Sequence, residues 1–555
     1  MEPVTGARAT AGWSLLAGVL AVAASLHWNG VPDLGPIMPE LDGVHPVRAA
    51  QALATAYAPG GGFIDKYPAL GSFAMGAAGA LVDPAFGADA GGPAVLPDPA
   101  RRAALWPLRE RMLAVLAAQR WLSRVAMGLS AALLAALTLG LLRSWPRPRA
   151  ATGRAAAAVD VAAALVASVG FACSYPALYY ADTTNVDALA LLFGLGAVAL
   201  AGRGRWIGAA VAVALAAAVK DPAAVLAVVV FAGCWLDPRP GRAPRVLAAA
   251  AAGLLVYGFA SGAFTGPASW VQHLRLLTGG ALGVDRIDHA RPGEWLSLLA
   301  YVARLLGGAI GAPAVLLGLA GLGLLLMRQR RLGWVLSGAL LATVLLFVLP
   351  VGFVYVRFLL LPLAVLCVGA GVALAAAAHA ALARLPGAGS GAASALGVAV
   401  VLAGALLLVG LQPRVADYHR FVVTAPDARA LAAAAVPAYA PDGAPLVLFA
   451  DGREHGPPLD PGRWPLQVEG HGAAPHWLGQ WELTPQPERP AVLLWMLFPL
   501  DRPSGGASQQ DLPTKVGTRF HGIYELAEAW PVREDSPPLH SLTIRPEIML
   551  WKRLP

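Results

Sequence analysis

Charge is scarce in this chain: Asp, Glu, Lys and Arg make up 13% of its 555 residues, against about 25% in soluble proteins. Together with 57% hydrophobic residues and a mean hydropathy of +0.60, that scarcity excludes a soluble globule of this size. Cysteine is nearly missing as well. Cys173, Cys234 and Cys367 fall on three separate apolar runs, so neither a disulfide framework nor a metal-ligand spacing follows. They read as small buried apolar residues. The formal charge is +8, but the arginines lie in short loops between apolar runs. Membrane topology accounts for that placement, and a nucleic-acid partner does not. No inverted repeat is visible, and no low-complexity tract beyond Ala-rich apolar sequence.

What is present is a series of apolar runs of the ~20-residue class needed to cross a bilayer. They cover 11–27, 121–141, 157–174, 186–201, 206–219, 222–236, 246–263, 308–326, 333–349, 358–378 and 393–411. The first also reads as a signal peptide, since AVAAS offers small residues for cleavage; ten later runs favour its retention. The expected fold is an all-α polytopic membrane protein with about 11 transmembrane helices and a small C-terminal extracytoplasmic domain of mixed α/β type. With the N-terminus inside, the even-numbered connections should be cytoplasmic and basic. They carry Arg143, Arg147, Arg149 and Arg154; Arg203 and Arg205; Arg239, Arg242 and Arg245; Arg328, Arg330 and Arg331; and Arg384. The odd connections then face outward: 28–120, 175–185, the Lys220-Asp221-Pro222 turn, 264–307 and 350–357. Residues 1–411 form the membrane domain, 28–120 its first external loop, and 412–555 the external C-terminal domain.

In the first loop Pro46 opens a helical stretch in which Val47, Ala50, Ala54 and Tyr57 recur at helical spacing, the pattern of a helix lying on the membrane. Gly60-Gly61-Gly62 ends it, and a second apolar stretch too short for a span begins at Tyr67-Pro68. In the C-terminal domain a helix is expected over 427–435 and strands over 445–450, 491–497 and 540–550. Its six histidines (His419, His455, His471, His476, His521, His540) have no zinc-type spacing.

Four outward-facing features carry chemistry: Glu40 and Asp42 with His45; Asp65-Lys66 ahead of Tyr67-Pro68; Asp182 and Asp187, which bracket the start of the fourth run; and the bases Lys220, His289, Arg291 and Arg357. Each has a plainer reading. Asp42 caps the helix after it, and Asp182 or Asp187 starts the fourth helix. Lys220 and Asp221 form an interfacial pair reaching for water. His289 is an exposed loop histidine, and Arg357 anchors a helix end. As a set, carboxylates from two loops with Lys and Arg suit a reaction on an anionic lipid headgroup. Such a reaction needs a base for the attacking hydroxyl and cations, or a metal, for the departing phosphate.

The order of these features resembles the GT-C superfamily of polytopic glycosyltransferases that use polyprenyl-phosphate sugars, in particular its protein mannosyltransferase and lipid A aminoarabinose transferase branches. The resemblance covers roughly residues 10–380. Asp42 in PELDGVHPVRAA stands where the family carries its first-loop catalytic carboxylate. Gly43 replaces the second acid of the usual pair, and Glu40 precedes by two. Asp65-Lys66 in FIDKYPALGSF is similar to the acid-Lys-Pro segment, with Tyr67 inserted. Asp187 in YYADTTNVDALALLF matches the Asp that opens the fourth span, with Asp182 as its rival. His289 in DHARPGEWLSLL resembles a His-x-x-Pro element, and Arg357 in VYVRFLLLPL an Arg-aromatic-Leu-Leu-Pro element.

The resemblance implies a transferase that moves a hexosyl or pentosyl group from a polyprenyl-phosphate donor. The acceptor would be a lipid, glycan or protein on the outer side of the cytoplasmic (inner) membrane. Asp42, Glu40 and Asp187 are its catalytic candidates. Lys66, Arg357, Lys220, His45, His289 and Tyr67 are the substrate-binding ones. Asp65 and Asp187 are the candidate ligands of a divalent cation (Mg2+, Mn2+ or Zn2+), and Mg2+ would suit carboxylate oxygens. Membrane lipids are the expected surroundings. The alternative from another class is a secondary transporter or lipid flippase, which would place ionisable groups near the bilayer midplane.

Overall fold

A computed structural model describes residues 2–27, 44–58, 68–89, 106–145, 154–278, 291–384, 395, 399, 427–449, 457, 459–469, 490–497, 524–530 and 547–553. Ten of the eleven expected apolar runs fall on helices: Glu2–His27, Arg109–Arg143, Arg154–Ala172, Asp187–Gly202, Trp206–Val219, Leu226–Leu236, Arg242–Ala260, Ala312–Arg328, Arg330–Leu341 and Leu360–Ala383. The eleventh, 393–411, lies outside the described residues except for Ala395 and Ala399, both helical. The protein is thus a mostly helical, multi-pass membrane protein with a small C-terminal sheet.

Among the described residues, fewer helices than eleven are long enough to span alone. Five pass on length and apolarity, and a sixth does if Pro292–Ile310 and Ala312–Arg328, bent by 104°, are one broken span. The others are shorter because polar or glycine-containing turns cut them, as Lys220-Asp221-Pro222 cuts the helix after Val219. The expected run 308–326 is corrected at one point. Gly311, at φ 85° and followed by Pro313, turns the chain sharply, a conformation that glycine adopts without Cβ strain.

The chain divides into two compact units: residues 1–29, 52–74 and 120–416, and residues 30–51, 75–119 and 417–555. In the first, Leu360–Ala383 is almost wholly buried and packs on Ala312–Arg328 and Arg154–Ala172. With no water to drive apolar faces together in lipid, helix contact depends on close approach of small residues. Gly318 and Gly321 meet Gly369 so tightly that a Cβ on Gly321 would sit 1.8 Å from the Gly369 carbonyl oxygen. By contrast, Arg242–Ala260 exposes Leu247, Leu254, Leu255 and Phe259, a surface that suits lipid.

The Arg-rich connections gather at one end. Buried Asp237 accepts from Trp206 Nε1 at 2.9 Å and from Arg239 at 2.7 Å, with Arg245 and Arg331 each at 3.4 Å. Arg239 also donates to the Gly204 carbonyl at 2.7 Å, and Gln329 Nε2 donates to the Leu141 carbonyl at 3.0 Å. The second, fourth, sixth and eighth connections therefore share an end, as alternation requires. Asp160 and His379 pair at 2.9 Å between two apolar helices, an intramembrane pair that the sequence reading did not anticipate.

In the second unit, the start of the helix Pro46–Thr55 packs Val47 with Phe86, Met112 and Val115. The expected helix is present; of its expected stripe Val47 is buried, Ala50 and Tyr57 are half-buried and Ala54 is exposed. The C-terminal part starts with the helix Ala428–Tyr439, capped by Asp427, which accepts from Arg429 N at 2.8 Å. Strands β1 (Leu446–Phe449), β2 (Leu466–Glu469), β3 (Val492–Leu497), β4 (Tyr524–Trp530) and β5 (Glu547–Arg553) form one sheet in the order β2-β1-β3-β5-β4. Its β2-β1-β3 part is parallel and β3-β5-β4 antiparallel. Apolar side chains line both faces of β1 and β3, as buried parallel strands require. The expected strand over 540–550 is present from 547 and continues to 553, with 540–546 outside the described residues; β2 and β4 were not expected.

Candidate functional site

Three loops at the end of the first unit opposite the arginine cluster bring ionisable side chains to one cavity. Asp187 is the first residue of the helix Asp187–Gly202, and Asn185 Oδ1 accepts its backbone N–H at 3.3 Å. Lys220 ends the helix Trp206–Val219 in an extended conformation (φ −156°, ψ 115°) set by the Asp-Pro turn that follows. Its Nζ donates to both carboxylate oxygens of Asp187. Both residues are buried, at 6% and 5% exposure. Arg357 sits in the short helix Val356–Leu359, half-buried.

Aromatic rings hold the two cations. The Arg357 guanidinium lies 4.4 Å from the Tyr355 ring centroid and 5.3 Å from that of Phe358, whose other neighbour is Lys220 Nζ at 5.7 Å. Phe358 stacks edge-on with Phe347 at 4.8 Å. Phe347 belongs to a π-helical turn, Ala342–Val348, the kind of local widening that recurs at functional positions in helices. The cavity, about 70 Å³, has Asp187, Lys220 and Arg357 at its polar part. Thr343, Phe347, Phe358 and leucines from three helices are part of the remaining wall.

Among the described residues, Lys220 and Arg357 bring two cations to the Asp187 carboxylate at this cavity. Paired cations of this kind can hold an oxyanion. The surrounding apolar wall suits an anion attached to hydrocarbon rather than a free ion, because an apolar surface gains nothing from a hydrated ligand.

The reading of Lys220 and Asp221 as a water-seeking pair is corrected. Lys220 turns inward to Asp187, and Asp221 instead faces His273 Nε2 at 3.3 Å. Asp182, five residues before Asp187, accepts from Arg124 Nε at 2.6 Å. Burial pushes its carboxyl up to about 6, against the opposite pull of Arg124 and Arg120. His45 is buried in the second unit, where its Nδ1 accepts the Val47 backbone N–H at 3.2 Å, at the start of its own helix. Glu40, Asp42, Asp65, Lys66, Tyr67 and His289 lie outside the described residues.

The same holds for half of the expected cation site, since Asp65 is among those residues. Among the described residues no three His, Cys, Asp or Glu side chains converge as metal ligands, and both oxygens of Asp187 are engaged by Lys220.

Arg120, Arg124, His273, Tyr355 and Phe358 were missed from the sequence. For the first two a signal existed. Arginines at the outer start of an apolar run oppose the positive-inside bias, which asks for a buried partner to explain them.

No protein-family model matches this chain, and no curated protein matches its sequence. Among solved structures, the chain is similar to ArnT from Cupriavidus metallidurans bound to undecaprenyl phosphate, at TM-score 0.48 and 13% identity over 97% of this chain and 98% of the other. It is also similar to ArnT from the same organism in the apo state, at TM-score 0.46 and 14% identity over 98% of both. ArnT is a lipid A aminoarabinose transferase.

Proposed function

We propose that this protein is a membrane glycosyltransferase that moves a sugar from a polyprenyl-phosphate-linked donor to an acceptor on the outer side of the inner membrane. The observation that carries the reading is the pairing of Lys220 and Arg357 at one cavity with otherwise apolar walls. A lipid-linked phosphate needs both parts: charge for the headgroup and hydrocarbon for the tail.

In this reading Arg357 meets the donor phosphate as a fork and Lys220 as a point charge. Asp187 aims Lys220 before the donor arrives, so the ammonium is not left alone in an apolar wall. Lys66 adds a further cation, and Asp65 orients the acceptor, since both oxygens of Asp187 are taken by Lys220. Tyr67 and His289 contact the sugar or the acceptor, whereas His45 stays at the start of its own helix. The acceptor hydroxyl attacks the anomeric carbon as Asp42, supported by Glu40, takes its proton. The carbon–oxygen bond to phosphate breaks, and the electron pair leaves on polyprenyl phosphate, whose added charge falls on Lys220, Lys66 and Arg357. Direct displacement inverts the anomeric configuration.

The test uses purified protein in vesicles with a polyprenyl-phosphate sugar labelled in the sugar. Label should move to acceptor as polyprenyl phosphate is released, and Asp42→Asn and Lys66→Ala should each abolish it. If both variants keep most of the rate, the residue roles are wrong; movement of intact donor across the bilayer without group transfer would instead indicate a flippase.

A further inference from the structure

The loop from Asp182 to Asp187 joins two ion pairs, and only the second opens on the cavity. Asp182, Thr183, Thr184 and Asn185 are each at most 2% exposed. An irregular, fully buried polar segment must satisfy its own groups. This one does so through short-range bonds: Asp182 N–H to the Tyr179 carbonyl at 3.0 Å, Asn185 N–H to Thr183 Oγ1 at 3.4 Å, and Asp187 N–H to Asn185 Oδ1 at 3.3 Å. These bonds fix the loop's shape but not its placement.

Placement comes from outside the loop. The Arg124 guanidinium, stacked 5.2 Å from the Trp121 ring, donates through Nε to Asp182 Oδ1 at 2.6 Å. Arg124 is 6% exposed and Asp182 0%. Asp182 Oδ2 has no hydrogen-bond partner among the described residues. A guanidinium stays charged at any working pH, and a buried pair of this kind is rarely better for stability than apolar side chains of the same volume. Its use therefore lies in specifying geometry.

We infer that Arg124 and Asp182 are a positioning pair: they anchor the near end of the 182–187 loop so that Asp187 emerges aimed at Lys220, and thereby set the anion site. This rests on the functional reading above for its effect on catalysis, but not for its effect on the loop. Charged groups facing the loop come from few elements. The helix Arg109–Arg143 brings Arg120 and Arg124, and the helix Asp187–Gly202 brings Asp187 with its partner Lys220. The short helix Val356–Leu359 brings Arg357. Among described side chains, Glu2–His27 offers none, and Arg154–Ala172 offers Asp160, already paired with His379. With its carboxyl pushed up to about 6, Asp182 is anionic above that pH and the pair is complete; below it the carboxyl protonates and the anchor weakens.

Arg124→Gln and Asp182→Asn should each lower kcat/KM for labelled donor by about 100-fold, the scale of a small misplacement of a reacting group. Most of that loss should be in kcat, and Arg124→Lys should recover a large part of it. The wild type should show an acid limb near pH 6 that Asp182→Asn lacks. In hydrogen exchange of the folded variants, the amides of 182–190 should exchange faster while those of 360–383 keep their wild-type rates. Wild-type exchange at 182–190 in both Arg124→Gln and Asp182→Asn overturns the inference whatever the activity. Faster exchange there in a protein that transfers no sugar even as wild type would sustain the pair and sink the functional reading instead.

Discussion

The two ends of the membrane unit handle a buried carboxylate in opposite ways. Asp237 is saturated: an indole N–H and three arginines surround it, and the Arg239 hydrogen bond, first among several causes, holds its carboxyl well below the usual range. Asp182 has one direct donor and one unpartnered oxygen among the described residues, and burial wins. Asp187, in the same loop, shares Lys220 with an apolar cavity that Arg357 also lines. One end spends its charges on each other and ties loops together. The other sets Lys220 and Arg357 beside an apolar wall, the arrangement on which the proposed binding of a lipid-linked anion rests.

The largest expected break in that contrast is at the cavity. Lys220→Met should lower kcat/KM for the labelled donor by roughly 10²–10³, the scale for losing a group that stabilises developing charge, while the protein elutes as wild type on size exclusion. Arg357→Lys keeps the charge and loses the fork, so its loss should be smaller, about tenfold.

At the saturated end the loss should be of stability rather than rate. Asp237→Asn leaves three guanidiniums without their carboxylate, and thermal unfolding of the purified protein should move to clearly lower temperature with per-molecule activity retained. The signs with pH also differ. The depressed Asp237 contributes stability above the ordinary carboxylate range near 4 that is lost as pH falls. The raised Asp182 favours the folded state below about 4, and that contribution is lost as pH rises through 6. Unfolding scans of Asp237→Asn and Asp182→Asn between pH 4 and 7 should therefore deviate from wild type in opposite directions with rising pH.

The contrast also shows what could be read from the residues alone. Apolar run length located ten helices, and the arginine alternation correctly grouped the connections that meet near Asp237, because both are one-dimensional consequences of crossing a bilayer. The lysine at 220 was recognised as a candidate, but its partner was not. Asp221 is adjacent in sequence, and only the Asp-Pro turn, which sends Lys220 into an extended conformation, decides for Asp187. The aromatic frame of Phe347, Tyr355 and Phe358 was hidden for a related reason: aromatics in an apolar run look alike until packing distinguishes lipid-facing from cavity-facing. In the sheet, β2 and β4 escaped because LQVE and YELAEAW alternate with charge and are too short to stand out.

A smaller and purely structural effect sharpens the comparison from the side of packing. Gly321→Ala would place a methyl against the Gly369 carbonyl and should cost about 1–3 kcal/mol, as overpacking does, read from denaturation in mild detergent. Because the helices Ala312–Arg328 and Leu360–Ala383 adjoin the cavity only through the latter's first residues, donor affinity should change little.

The most direct measurement of the central claim is binding without chemistry. Native mass spectrometry of the detergent-purified protein titrated with polyprenyl phosphate should show one bound lipid per chain. The Lys220→Met, Arg357→Ala double variant should weaken that binding by at least about tenfold. Equal binding by the folded double variant, or none by the wild type, would contradict the account.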